Sequence, residues 1–199
     1  MKNRILPFTV ITLIALVAAG CASAPSRFYT LNSTALAAGS ANTNLAVIVG
    51  PVSIPAEVDR PEFTVQISPN RVAVDEFNRW AAPLRDNIAR AVAGDLAVQL
   101  GTPRVATVPA SFDAPYRVSI SVQRFESVPG KSVLVDAVWT VRSPVGGTAQ
   151  SGRTVASEPV ASIDFDALAA AHSRALTKVS SDIAAAIRVL AGAKSGPSE

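Results

Sequence analysis

Two residue types that commonly perform catalysis, cysteine and histidine, occur once each in this 199-residue chain, as Cys21 and His172. A serine hydrolase would need a serine beside His172, and no Gly-x-Ser-x-Gly motif is present to expose one. His172 lies on the apolar stripe of a predicted C-terminal helix, where packed histidines are commoner than catalytic ones. The sequence therefore predicts no catalytic residue, and an exported hydrolase is the least favoured class of function.

Metal and cofactor sites also find no support in the residue types. A single histidine and a single cysteine leave carboxylates as the other ligands, and the aspartates lack the spacing of a calcium-binding loop. Gly146, Gly147 and Gly152 fall between predicted strands rather than before a helix, so they do not predict a phosphate-binding loop. We therefore expect no metal and no cofactor.

The N-terminus has the pattern of a bacterial export signal. Lys2 and Arg4 provide a positively charged start. The uncharged, mostly apolar run Ile5–Ala19 that follows is too short for a membrane-spanning helix. The sequence thus predicts a signal peptide over residues 1–20.

The end of this signal predicts a lipid anchor. Leu16–Cys21 is similar to the lipobox of bacterial lipoproteins, in which the cysteine is acylated, although Ala18 stands where the commonest lipobox has leucine. Ala22 follows, whereas an aspartate there tends to retain lipoproteins in the inner membrane. We therefore expect acyl chains, palmitate included, on Cys21 and an outer-membrane location facing the periplasm. The alternative is an ordinary cleaved signal followed by an incidental cysteine.

Removal of the signal leaves an almost neutral protein. Lys2 and Arg4 are two of the 18 basic residues, so 16 basic and 15 acidic residues remain from Cys21 onward. No basic stripe with interleaved aromatic residues is present, and we expect no nucleic-acid partner.

The mature chain divides into a tether, one domain and a tail. Residues 21–44 are predicted to form a lipidated tether that contains one short docking strand at 28–31. The stretch 32–44 has small and polar residues without periodicity, which is typical of a mobile loop. Residues 45–192 have the length and apolar content of one domain, and residues 193–199 resemble a disordered tail.

The first half of the domain is predicted to contain strands and one helix. The near-continuous apolar run in Leu45–Ile54 indicates a strand buried on both faces. A hairpin is predicted over Phe63–Val74, and a helix begins near Pro83 and ends at Gly101. A short strand at Arg104–Val108 follows.

The second half is predicted to form an antiparallel meander and a long helix. Alternating apolar residues and a Pro-Gly turn at Val128–Lys131 organise three strands between Tyr116 and Glu158. A helix from about Asp164 carries an apolar stripe that includes His172. We therefore expect a single α+β domain, with a mixed β-sheet and two amphipathic helices packed on one face.

Several segments together resemble the ABC-type transport auxiliary lipoproteins, the PqiC-like family. They are Phe28–Leu31, Val49–Pro55 with Asp59–Pro61, and Glu76–Leu84. Their order and spacing fit the family over nearly the whole mature chain. Ala56-Glu57-Val58 departs from the pattern, since relatives often carry an aromatic residue and leucine there.

This resemblance implies a subunit of an envelope-spanning lipid transport system that supports membrane integrity. Its partner would be an inner-membrane protein with periplasmic MCE domains, which the lipoprotein docks at the outer-membrane end. Formation of a homo-oligomer stays open, as do the lipid and the direction of transport. The alternative is a structural envelope or cell-wall-associated lipoprotein without a transport role.

Four residues in these segments are candidates for partner binding: Tyr29, Arg60, Arg79 and Trp80. Arg60 has the alternative role of a solvated loop charge, and Tyr29 that of pinning the N-terminal segment to the sheet. Trp80 is either an interface anchor, because tryptophan and arginine dominate interface energetics, or a core residue at a strand-to-helix junction. Core packing is the commoner outcome for tryptophan at such a junction.

Overall fold

The computed structural model describes residues 25–37, 44–113, 115–144 and 146–192. The predicted signal peptide, Cys21 and the predicted tail at 193–199 lie outside the described residues. The described part forms one α+β domain, as the sequence predicts. Its elements are β1 (Arg27–Tyr29), β2 (Val47–Ser53), β3 (Glu62–Ser68), β4 (Arg71–Trp80), α1 (Leu84–Leu100), β5 (Val105–Thr107), β6 (Tyr116–Val128), β7 (Ser132–Arg142), β8 (Ala149–Pro159) and α2 (Phe165–Gly192).

A five-stranded mixed sheet in the order β5-β2-β6-β7-β8 forms the larger layer. Strand β2 pairs in parallel with both β5 and β6, and its residues Val47, Ile48 and Val49 are fully buried, as expected for a strand covered on both faces. The predicted antiparallel meander is formed by β6, β7 and β8. Its first turn has the Lys131 N–H donating to the Val128 carbonyl at 3.0 Å, with Gly130 at a φ of +69°.

Both helices cover one face of this sheet. Helix α1 packs on β2 and β5, and α2 packs on β7 and β8 beside α1. Helix α1 ends at Gly101, whose φ of +62° directs the Thr102 N–H to the Ala97 carbonyl at 3.1 Å. No helix in the described ranges is long and apolar enough to cross a membrane.

The predicted hairpin, β3–β4, joins with β1 to form a second, three-stranded sheet in the order β1-β4-β3. Strand β4, the second strand of the hairpin, is longer than expected and continues to Trp80. Alternating hydrophobicity identifies strands but does not say which sheet they join, so the division into two sheets could not be predicted. A cluster of rings in mutual contact joins the small sheet to β6 and α2: Tyr29, Phe63, Trp80, Phe125, Phe165 and His172.

The segment after β1 is bound to the helices, although the sequence predicts a mobile loop there. Asp95 of α1 is fully buried, and its carboxylate accepts hydrogen bonds from Ser33 Oγ at 2.7 Å and from the N–H groups of Thr34 and Ala35, both at 3.1 Å. The N–H of Asn32 also donates to a serine hydroxyl of α2. The prediction was wrong for this part of the tether, because its backbone donors are satisfied by a distant carboxylate. Residues 38–43 are outside the described ranges.

Candidate docking site

The site is built around the first turn of α1. Pro83 occupies the N-cap position, and its carbonyl accepts hydrogen bonds from the N–H groups of Asp86 at 2.9 Å and Asn87 at 3.1 Å. No side chain caps this end. The positive end of the helix dipole is therefore offset mainly by Asp86 in the first turn.

The loop before β3 is held against this helix end. The Pro61 carbonyl accepts a hydrogen bond from the Trp80 N–H at 2.7 Å. Asp59 forms an ion pair with Arg85, and the hydrogen bond in this pair raises the pKa of Arg85 above its ordinary value. Arg60, between these two contacts, is exposed and has no ion pair with a described residue. The loop thus presents a cation beside a fixed ion pair.

Two surface cavities meet at the helix start. The first, called the loop cavity, has a volume of about 630 Å³ and lies between Asp59–Pro61 and Trp80–Asp86. The second, called the strand cavity, has a volume of about 570 Å³ and lies between Gly50–Val52, Arg85–Arg90 and Thr107–Pro109. Both are lined by Arg85 and Asp86, so they form adjacent parts of one surface.

The strand cavity depends on a glycine in β2. Gly50 has a φ of +125°, which disfavours other residues. A Cβ atom at this position would lie 2.7 Å from Cγ2 of Val108. Glycine therefore lets residues 107–109 approach β2 and form one wall of the cavity.

Three arginines face these cavities, and two of them are outside ion pairs. Arg60 lines the loop cavity, Arg90 lines the strand cavity, and Arg85 lies between them. Arg90 is exposed and donates a hydrogen bond to Asn87 Oδ1 at 2.7 Å. The carboxylates present are Asp59, already paired, and Asp86. The surface is thus suited to a partner that supplies acidic groups.

The structure brings Arg60 and Trp80 to the same cavity, but only Arg60 has an exposed side chain. Trp80 is 4% exposed and stacks on Phe63 with ring centroids 4.1 Å apart, so it takes the core role rather than that of an interface anchor. Tyr29 is also buried, and its hydroxyl donates to Asn78 Oδ1 at 2.7 Å. Trp80 thus supports the loop cavity from beneath, whereas Tyr29 packs against Phe63 and Phe165, and a role for either residue in partner binding stays a prediction.

Arg79 lies outside both cavities. It forms an ion pair with Glu62 at 3.1 Å, and its Nε donates to the Glu76 carbonyl at 3.0 Å. A role for Arg79 or Arg60 in partner binding stays a prediction.

Sequence reasoning missed Arg85, Asp86 and Arg90. On the sequence they belong to the polar side of an amphipathic helix, which is ordinarily a solvated surface. Only the approach of two distant segments, the loop before β3 and the stretch after β5, makes their side of the helix concave. A charge-rich first turn without a side-chain cap was the available signal.

The structure does pair the single histidine with a serine, far from these cavities. Ser127 Oγ lies 2.8 Å from His172 Nε2, and the imidazole stacks on Phe125 with centroids 3.8 Å apart. His172 is fully buried, which lowers its pKa from 6.5 to about 3, and Nδ1 has no hydrogen-bond partner among the described residues. A neutral, enclosed imidazole without an orienting acid is arranged as a core side chain. No metal-binding group of three or more His, Cys, Asp or Glu side chains occurs in the described ranges.

Comparison of this chain with known proteins finds a matching family model and solved structures with a similar fold. Residues 29–184 match the family model described as ABC-type transport auxiliary lipoprotein component. The solved structure of an uncharacterized protein shares 16% identity, with a TM-score of 0.68 over 82% of this chain and 99% of that one. Protein XCC0632 from Xanthomonas campestris, of family DUF330, shares 20% identity, with a TM-score of 0.67 over 84% and 98%. No curated protein matches the sequence. The structural neighbours share the fold of this chain.

Proposed function

The chain belongs to the family of ABC-type transport auxiliary lipoprotein components, and we propose that it docks a periplasmic MCE-domain protein at the outer membrane. In this role it is a non-catalytic subunit of an envelope-spanning lipid transport system that maintains membrane integrity. The lipid anchor on Cys21 holds the domain at the periplasmic face of the outer membrane. Several acyl chains are needed for stable attachment, because a single chain binds membranes only marginally.

The observation that carries this proposal is the convergence of separate sequence segments on one surface. Val49–Pro55, Asp59–Pro61 and Glu76–Leu84 carry the family resemblance, and residues of all three line the two adjoining cavities. Because exposed loop residues on a rigid scaffold commonly carry function, this convergence favours a binding surface.

The charges of the surface indicate how a partner is held. Arg60 and Arg90 are exposed and extend from the loop and from α1. The buried Trp80 holds the loop beside the start of α1, because its N–H donates to the Pro61 carbonyl. Acidic side chains on the partner would complete ion pairs with these arginines. Such pairs accelerate association and fix the orientation of the two proteins.

A purely structural envelope lipoprotein is the second candidate. It would share the lipid anchor and the absence of catalysis, but it would have no use for a concave cationic surface facing a protein partner. Binding of the MCE-domain protein through that surface therefore discriminates between the two functions.

Charge reversal tests the docking surface. We expect Arg60→Glu and Arg90→Glu each to weaken binding of the purified periplasmic MCE domain at least about 10-fold, because acidic partner groups would then meet like charge. Biolayer interferometry with the acylated lipoprotein in nonionic detergent measures the affinity. Arg142→Glu, exposed at the end of β7, is the matched control and should bind as the wild type does.

Wild-type binding by both cavity variants would show that the partner docks elsewhere. Absence of binding by the wild type would exclude the MCE-domain partner and favour the structural lipoprotein.

A further inference from the structure

The small sheet carries an unusual concentration of exposed apolar side chains. Twelve large hydrophobic residues of the described ranges are exposed, and five of them belong to β1, β3 and β4. These are Phe28, Ile67, Val72, Val74 and Phe77, with exposed fractions of 63%, 50%, 54%, 40% and 43%. A concentration of this kind marks a surface that another apolar phase covers.

The β3–β4 hairpin is exposed on both of its faces near the turn. Phe63, Val65 and Ile67 alternate along one face of β3, where the first two are buried and Ile67 is half exposed. Val72 and Val74 lie in β4 opposite Gln66 and Thr64, on the other face of the hairpin, and they are exposed as well. Both faces therefore become exposed towards the turn, which places exposed apolar side chains at the tip of the hairpin.

The direction of the chain brings the lipid anchor to this tip. Strand β1 runs parallel to β4, with Arg27 opposite Asn78, so the chain enters β1 from the side of the hairpin turn. Cys21 precedes Arg27 by six residues, which span at most about 20–22 Å. The stretch of β4 from Arg71 to Asn78 measures roughly 23 Å at about 3.3 Å per residue. A fully extended segment therefore brings the lipidated cysteine about level with Val72, which lies about 20 Å along β4 from Asn78 and next to the turn.

We propose that the β3–β4 hairpin rests on the membrane that holds the acyl chains of Cys21. Ile67, Val72 and Val74 enter the boundary between the phospholipid headgroups and the acyl chains, and Arg71 at the turn contacts headgroup phosphates. This inference rests on the lipid anchor of the proposed function. A phospholipid surface covers these apolar side chains, because the acyl chains of Cys21 hold the domain within one tether length of the membrane.

This contact also orients the docking site. Strand β4 has ten residues, about 30 Å, and it ends at Trp80, directly before the loop cavity and α1. A hairpin tip on the membrane therefore directs the opposite end of β4 into the periplasm. The arginines of the docking site then face away from the anchoring membrane.

Site-specific fluorescence tests the contact in the acylated full-length lipoprotein. Acylation of Cys21 consumes the chain's only native thiol, so Ile67→Cys or Val72→Cys provides a unique site for a nitrobenzoxadiazole label. Val155→Cys and Val189→Cys are matched controls, since these residues are 58% and 62% exposed in β8 and near the end of α2. The proteins are reconstituted in phosphatidylethanolamine–phosphatidylglycerol vesicles with nitroxide on the upper acyl chain.

We expect blue-shifted emission at positions 67 and 72, and lipid-nitroxide quenching at least twofold stronger than at positions 155 and 189. Equal quenching at all four positions, in protein that floats with the vesicles, would overturn the hairpin contact and leave the anchor intact. A blue shift that increases with the protein-to-lipid ratio, without nitroxide quenching, would show that this surface contacts another copy of the protein. That result would also overturn the hairpin contact with the membrane. The Cys21→Ser variant is expected not to float with the vesicles. If the wild-type protein also failed to float, both the anchor and the hairpin contact would be overturned.

Discussion

Two of the buried polar centres in the described part of the domain differ in how their hydrogen bonds are satisfied. Asp95 lies between the two helices and accepts five hydrogen bonds, from Ser33, Thr34, Ala35, Thr177 and Ser180. The second centre lies between β6 and α2, where a neutral histidine makes one hydrogen bond to a serine and otherwise packs as an aromatic ring.

This difference shows that burial alone does not identify a functional group. Burying a carboxylate is tolerable only where donors converge on it, and here they join the N-terminal segment to both helices. Burying a histidine is tolerable when it stays neutral, and a single hydrogen bond then suffices. The Asp95 centre fixes the position from which the tether leaves the domain, whereas the histidine centre fills the core.

Removal of the Asp95 carboxylate should have the largest effect on stability. We expect Asp95→Ala to lower the free energy of unfolding by about 3–5 kcal/mol, since three hydroxyl and two backbone donors lose their acceptor. Chemical denaturation measures the change. Hydrogen exchange at Thr34 and Ala35 should accelerate, because these amides donate to Asp95 in the folded protein.

Asp95→Asn sharpens the test, because it can retain the oxygen that faces the N-terminal segment and lose the acceptor for Thr177 and Ser180. We expect Asp95→Asn to lower the free energy of unfolding by less than Asp95→Ala does. Unchanged stability and unchanged exchange in Asp95→Ala would show that the carboxylate does not hold this segment.

The histidine centre should make stability depend on pH. The pKa of His172 is lowered to about 3 in the folded protein, against 6.5 when exposed. Between these values the unfolded chain binds one more proton, so stability is full above pH 6.5 and falls as the pH decreases. We expect a loss of roughly 2.5–3 kcal/mol between pH 7 and 4.5, at about 1.4 kcal/mol per pH unit.

Denaturation at several pH values checks this slope, with the non-titrating His172→Gln as control. Most of the contribution of Asp136 and Glu158 is lost below this window, because hydrogen bonds from Arg153 and Lys178 lower the pKa of these carboxyl groups. An equal slope in wild type and His172→Gln would mean that His172 does not control the pH dependence.

The smallest effect is expected where one hydrogen bond of the histidine centre is removed. Ser127→Ala should destabilise the fold by about 1 kcal/mol, since the imidazole loses its partner at Nε2. Binding of the MCE-domain protein and membrane integrity should stay intact, because the proposed function requires no proton transfer. Loss of membrane integrity in folded, acylated Ser127→Ala protein would reopen an enzymatic role.

Much of the secondary structure was predictable because it depends on local periodicity and turn chemistry. The four-residue repeat from Leu84 and the stop at Gly101 define α1, and the Pro129–Gly130 turn defines the first hairpin of the meander. The candidate site was predictable only in part. Arg60 was identified, whereas Trp80 was resolved as a core residue only by the stacking of Phe63, which is distant in sequence.

The sequence by itself determined the α+β class, the order of the elements and the family resemblance, since these follow from patterns of neighbouring residues. Tertiary structure alone decided the division into two sheets, the binding of residues 33–35 to Asp95 and the meeting of two cavities at Arg85. The physical reason is that each of these features joins residues far apart in the chain. Local hydrophobicity specifies a buried face, but shape and hydrogen-bond geometry decide which distant segment covers it.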